Sequence, residues 1–138
     1  MKTKLSILFA ILISFSFAKA VEVPDAVLKS FKAKFSEVKK TKWEKEKDGN
    51  YEAEFDLNGK EMSATFLPDG TWKETETEID VSELPKAVAE SLNKLYPGTK
   101  IREAAKILRS DNTQVYEAEI KINGKKTDVL FDEKGNKI

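Results

Sequence analysis

Acidic residues at alternate positions are where this chain could do chemistry: Glu52 and Glu54, Glu117 and Glu119, and the longer series Glu74, Glu76, Glu78 and Asp80. Facing carboxylates act as general acid and base when one of them is desolvated, and several together can hold calcium. Other catalytic groups are missing, because the 138 residues include no histidine and no cysteine. That excludes thiol nucleophiles, Ser-His and Cys-His pairs, and imidazole ligands for zinc, copper or haem. Each acidic set also has a plain structural reading. Alternation puts Glu52, Glu54, Glu117 and Glu119 on the wet side of two strands, where a solvated carboxylate has no desolvation to raise its pKa. The stripe from Glu74 to Asp80 reads equally as an edge strand kept soluble by charge. Alternate carboxylates along a strand stand about 6.6 Å apart, too far for several to share one ion. No catalytic residue, metal site or cofactor is assigned.

The elements that must position these acids occur twice. Tyr51-Glu52-Ala53-Glu54 and Asn58-Gly59-Lys60 return 65 positions later as Tyr116-Glu117-Ala118-Glu119 and Asn123-Gly124-Lys125. Tandem self-similarity of this kind marks repeated supersecondary units. Each unit opens at a proline with apolar residues at helical spacing, Pro24 before Val27, Leu28, Phe31 and Phe35, and Pro85 before Val88, Leu92, Leu95 and Tyr96. Period-2 strands follow, and the Asn-Gly pairs supply a two-residue type I′ hairpin. That turn pairs Phe55 with Met62, Ala53 with Ala64, Tyr51 with Phe66, Ala118 with Val129 and Tyr116 with Phe131, apolar against apolar throughout, as a correct register must. Earlier strands are expected near Thr41 to Glu46 and Ile101 to Leu108, and a polar fourth strand over Trp72 to Ile79. Helices spaced by 61 and strands by 65 imply four residues inserted between helix and second strand of the second unit. The predicted fold is α+β, with helices on one face of an antiparallel sheet and the other face open to water.

Trp72 is the foremost binding candidate. If Asp69-Gly70 is a two-residue turn, Trp72 pairs with Leu67 on the open face beside Thr65, an aromatic anchor for a partner, with Glu74 and Glu76 continuing the surface. A longer loop or a bulge would return Trp72 to the core. A three-residue Asp48-Gly49-Asn50 loop places Trp43 in the core, opposite Phe55, whereas a two-residue loop would put it outside with Glu54. The core placement is the expectation, since it spares Lys42, Glu44 and Glu46 from facing inward. Tyr51, Phe66, Tyr116 and Phe131 read as cross-strand core pairs.

Residues 1–20 combine Lys2 and Lys4, an apolar stretch from Leu5 to Phe17, and Ala18-Lys19-Ala20, the pattern of a secretory signal peptide cleaved after Ala20. The apolar stretch is too short to span a bilayer. A soluble periplasmic or secreted product, 21–138, is expected. Loss of Lys2, Lys4 and Lys19 leaves 21 basic against 24 acidic residues, a net charge of −3. That balance gives no electrostatic reason to bind nucleic acid or an anionic membrane.

The signal segment, the Val-Pro and Leu-Pro helix starts, the Tyr-Glu-Ala-Glu strand, the Asn-Gly hairpin and the Phe66, Gly70, Trp72 closing segment together resemble the PepSY-like family of small exported bacterial proteins, found in Bacteroidota. The resemblance covers 21–138 and implies two repeats, 21–81 and 82–138, packed as one body with a fold like that of the beta-lactamase inhibitory protein. It further implies a non-catalytic envelope protein, an inhibitor or binder of a secreted protein or peptide through the open sheet face. Lys137 stands where the first unit has Trp72, a departure from the pattern. The competing class is a periplasmic carrier of a small ligand or of calcium.

Overall fold

A computed structural model describes residues 20–138; the signal-peptide reading lies outside the described residues, apart from Ala20. Helix α1 (Asp25–Lys34) precedes strands β1 (Lys42–Lys45), β2 (Tyr51–Leu57), β3 (Lys60–Phe66) and β4 (Trp72–Ile79). A 3-10 turn over Val81–Glu83 leads to α2 (Lys86–Leu95), then β5 (Glu103–Arg109), β6 (Gln114–Ile122) and β7 (Lys125–Asp132). All strands join one antiparallel sheet in chain order, β1 to β7. The expected strand sets therefore run into each other, through the β4–β5 ladder that pairs Glu74 with Arg109 and Ile79 with Ala104.

Both helices start just after a proline whose own backbone is extended, Pro24 and Pro85. Each turns its apolar stripe to the sheet, Val27 and Phe31 from α1, Val88 and Leu92 from α2. Two core clusters result. One gathers Val27, Phe31 and Phe35 with Tyr51, Ala53, Phe55, Ala64 and Phe66. The other gathers Leu84, Val88 and Leu92 with Ile79, Ala104, Tyr116, Ala118, Ile120, Val129 and Phe131. Burying a side chain of this size contributes about 1.5–3 kcal/mol, so these stripes dominate the fold's stability.

The hairpin register is as predicted: Leu57 faces Lys60 and Tyr51 faces Phe66, while Ala118 faces Val129 and Tyr116 faces Phe131. Asn58 and Asn123, at φ 53° and 49°, take the left-handed conformation that a type I′ turn needs. The four-residue insertion does fall between helix and second strand, in the hairpin that joins β5 to β6. Trp43 pairs with Ala53 and its counterpart Ala104 with Ala118, so the offset of 61 persists into β5. Ile107 and Val115 hold the places of Glu46 and Asn50, so the extra residues lengthen the β5–β6 hairpin by Leu108 opposite Gln114 and by the Arg109 amide donating to the Thr113 carbonyl at 3.0 Å.

Gly70 and Gly135 hold the helices against the sheet. Their φ values, +88° and +81°, are left-handed, and a Cβ on Gly70 would stand 2.6 Å from the Ala26 carbonyl oxygen. Gly135 meets Ala87 in the same way. Gly70→Ala is expected to cost roughly 2–5 kcal/mol from backbone strain and overpacking together. Gly59→Ala, with open space around it, should cost only about 1–2 kcal/mol. Equal losses of melting temperature in the two variants would contradict this helix contact.

Candidate functional site

Loop length decides which side chains reach the open face. The turn after β3 has three residues, Pro68-Asp69-Gly70, closed by the Leu67 amide donating to the Thr71 carbonyl at 2.8 Å and the Gly70 amide to the Leu67 carbonyl at 2.9 Å. Asp69 Oδ1 accepts from the Thr71 amide at 2.8 Å, an Asx arrangement that favours this loop over a two-residue turn. Phe66, not Leu67, therefore faces Trp72. Trp72 lies on the helix side, packed against the first core cluster. Its indole Nε1 donates to Thr75 Oγ1 at 2.9 Å, and the Lys34 ammonium sits 3.7 Å from the ring centroid. The open-face anchor expected from a two-residue turn is thus corrected by one loop residue.

A bulge then restores the acids. Thr65 pairs with Glu74 although Phe66 pairs with Trp72, leaving Lys73 as the extra residue. Trp72 and Glu74 consequently face opposite sides, and Glu74, Glu76 and Glu78 occupy the sheet face without helices. Asp80 leaves the stripe: its amide donates to Glu83 Oε2 at 2.8 Å in a capping box on the 3-10 turn. Leu67, 36% exposed, lies at the loop, and Thr65 is buried between Glu52 and Glu74 in the register. Of the five residues anticipated, Thr65, Glu74 and Glu76 share the open face, Leu67 borders it and Trp72 turns away. Trp43 is on the core side as expected, 5.2 Å from Phe31 by ring centroids. It faces Ala53 rather than Phe55, because the loop residues are Lys47-Asp48-Gly49, closed by the Glu46 amide donating to the Asn50 carbonyl at 2.9 Å.

Cross-strand rows define the face. Glu54, Ser63, Glu76, Ile107, Val115 and Asp132 stand in one row, and Glu78, Ala105, Glu117 and Leu130 in another. Ser63, Ala105, Ile107 and Val115 are buried, forming a small-residue floor beneath the longer acids. Ile107 and Val115, the counterparts of Glu46 and Asn50, were missed in sequence reasoning. Their signal was available, since two apolar residues fall on the parity opposite to Tyr116.

The margin of the face is neutralised and its centre is not. Lys42 bridges Glu44 at 2.6 Å and Glu54 at 3.0 Å, Arg109 meets Glu74 at 3.4 Å, and Arg102 and Lys126 hold Glu119 at 3.5 and 3.1 Å. Among the described residues no cation pairs with Glu76 or Glu117. Glu76 is pushed up to about 8 by burial and then by the charges of Glu117, Glu52 and Glu74. Glu117 rises to about 7 through burial and the neighbouring Asp128 charge. Burial and a hydrogen bond shared with Glu46 lift Glu52 to about 8. The alternation was right in facing these residues away from the helices. The expectation of ordinary, solvated carboxylates was not: Glu52 and Glu117 are half-buried, and Glu119 is buried. Among the described residues, no group of three or more Asp and Glu converges to hold a metal.

Comparison with known proteins places this geometry in context. The family model "Putative beta-lactamase-inhibitor-like, PepSY-like" matches residues 15–63 and again 49–138. Among solved structures, one from Bacteroides eggerthii described as "putative periplasmic proteins" superposes with a TM-score of 0.76 at 20% identity, covering 86% of this chain and 87% of that one. A DUF2874 family protein from Bacteroides uniformis gives 0.75 at 20% identity, covering 85% and 87%. A BLIP-like protein from Bacteroides fragilis gives 0.69 at 23% identity, covering 86% and 84%. A search of curated proteins finds no match. No helix among the described residues is long and apolar enough to cross a membrane.

Two outcomes test the site's geometry. Trp72→Ala should lower stability by about 2–3 kcal/mol, as loss of a partly buried aromatic does; an unchanged melting temperature would place the indole in solvent. For pH, the native state keeps protons on Glu52, Glu76 and Glu117 that the unfolded chain, with glutamates near 4.5, has released. Stability should therefore fall as pH rises from about 4.5 through 8 and level off above. Glu76→Gln should flatten part of that fall in thermal melts recorded between pH 5 and 9, and an unaltered slope would refute the buried carboxyl.

Proposed function

The chain belongs to the PepSY-like, beta-lactamase-inhibitor-like family, and from that premise we propose that it is a non-catalytic periplasmic binding module whose open sheet face docks a cationic protein or peptide. The observation that carries this reading is the uncompensated centre of the face, Glu52, Glu76 and Glu117 above a floor of small residues, with cations confined to the margin. Half-buried carboxylates with raised pKa values cost the free protein stability once they ionise. A lysine or arginine from a partner would supply the missing counter-charge, and its alkyl stem would lie on Ile107 and Val115. Glu74 and Leu67 would extend the contact toward the β3–β4 loop. The two repeats, 21–81 and 82–138, would then act as one platform, since the acids come from both.

The periplasmic assignment rests on the signal-like segment and on the description given to the Bacteroides eggerthii neighbour. Acid–base catalysis is the poorer reading because the face is broad and its acids are separated by intervening strands. The calcium version of the carrier reading has no converging donor set among the described residues to support it.

Calorimetric titration with a lysine-rich peptide tests the proposal. Wild type should bind more tightly at pH 8.5 than at pH 6, because a cation on Glu76 expels its proton, and added salt should weaken the complex. The triple substitution Glu52→Gln, Glu76→Gln, Glu117→Gln should raise Kd at least about tenfold. A triple variant that folds and binds like wild type would sink the sheet-face reading.

A further inference from the structure

A second site lies on the other side of the sheet, under α2. A pocket of about 300 Å³ opens between α2, the loop that follows it and β6, lined by Ala89, Leu92, Tyr96, Lys100, Ile101 and Ile120. The first half of the chain shows what normally fills this place. Phe31 and Phe55 are the counterparts of Leu92 and Ile120, by the offsets of 61 along the helices and 65 along the strands, while Leu28, the counterpart of Ala89, is itself exposed. There the rings interlock, Phe31 with Phe55 at 5.2 Å, Phe35 with Phe55 at 4.7 Å and Phe31 with Trp43 at 5.2 Å between centroids. In the second half Trp43 is replaced by Ala104. At the pocket itself two aromatic side chains, Phe31 and Phe55, thus give way to Leu92 and Ile120 over the same sheet and helix framework, while Ala104 does not line it.

Protein interiors are close-packed, so unfilled apolar volume is destabilising unless something occupies it. The pocket is open to solvent on one side and lined by polar as well as apolar groups, and its volume is at the lower end for small-molecule sites. The mouth adds polarity of one sign. Lys100 is exposed and makes no ion pair among the described residues, no acid lines the pocket, and Asn93 and Thr99 offer further donors. We propose that this pocket binds a small single-ring aromatic carboxylate, its ring in the space that aromatic side chains fill in the first half and its carboxylate at Lys100. This site is separate from the open sheet face and does not depend on the reading given to that face.

Titration of the full chain with phenylacetate, and with benzyl alcohol as its neutral counterpart, tests the assignment. Phenylacetate should give saturable heat and a raised melting temperature, with the alcohol binding more weakly. Lys100→Met, at an exposed position, should weaken phenylacetate about tenfold and leave the alcohol unaffected. Restoring the first half's residues, Ala89→Leu with Leu92→Phe, should abolish binding of both probes while the ligand-free melting temperature holds or rises. Absence of saturable phenylacetate binding to wild type overturns the site. Equal affinity for acid and alcohol, or no effect of Lys100→Met, overturns the carboxylate assignment.

Discussion

A seven-stranded sheet covered by helices on one side must accommodate half of its strand side chains without a packing layer. On the covered side the solution is ordinary: aromatic and aliphatic residues meet α1 and α2 in two clusters. On the other side antiparallel neighbours lie about 4.8 Å apart, so long side chains crowd one another even with water above them. Small residues, Ser63, Thr65 and Ala105, form the floor, and glutamates lie over it. Crowding removes enough solvent to raise the central carboxylates, while Arg102, Arg109, Lys42 and Lys126 compensate only the periphery. Strain of this electrostatic kind tends to be retained where a surface has a task beyond folding.

Which residues enter that face depends on single-residue changes in loops. The three-residue Pro68-Asp69-Gly70 loop sends Trp72 to the core, and the bulge at Lys73 sends Glu74 the other way. The bulge is itself tied into the neighbouring hairpin, because the Lys73 carbonyl accepts from the Ser110 amide at 2.8 Å. A strand of period 2 has no memory beyond its last irregularity, so one extra residue inverts everything that follows.

The two halves of the chain differ in complementary ways on the two sides of one sheet. On the open side Ile107 and Val115 join the floor where the first half has Glu46 and Asn50. On the helix side Leu92 and Ile120 stand in the places of Phe31 and Phe55 and line the pocket under α2. At the sheet margin Lys137 takes the place of Trp72 against Phe131 and donates to the Tyr96 hydroxyl at 2.6 Å. Shared glycines, Gly70 and Gly135, keep the helix docking alike while the side chains around it change.

Sequence alone determined the elements, the two Asn-Gly hairpin registers and the sidedness of Tyr51, Phe55, Tyr116 and Ile120, because alternation and turn chemistry are local and each apolar residue had one consistent place to go. The alternate acids were also legible as an outward set. Tertiary structure decided the rest: that Trp72 is core, that Asp80 is a cap, that the insertion extends a hairpin, and that Glu76 and Glu117 lie without a counter-ion among the described residues. Loop length, bulges and lateral strand pairing are set by energies summed over several strands, and desolvation by neighbours distant in the chain. Neither leaves a mark in the spacing of residues along one strand.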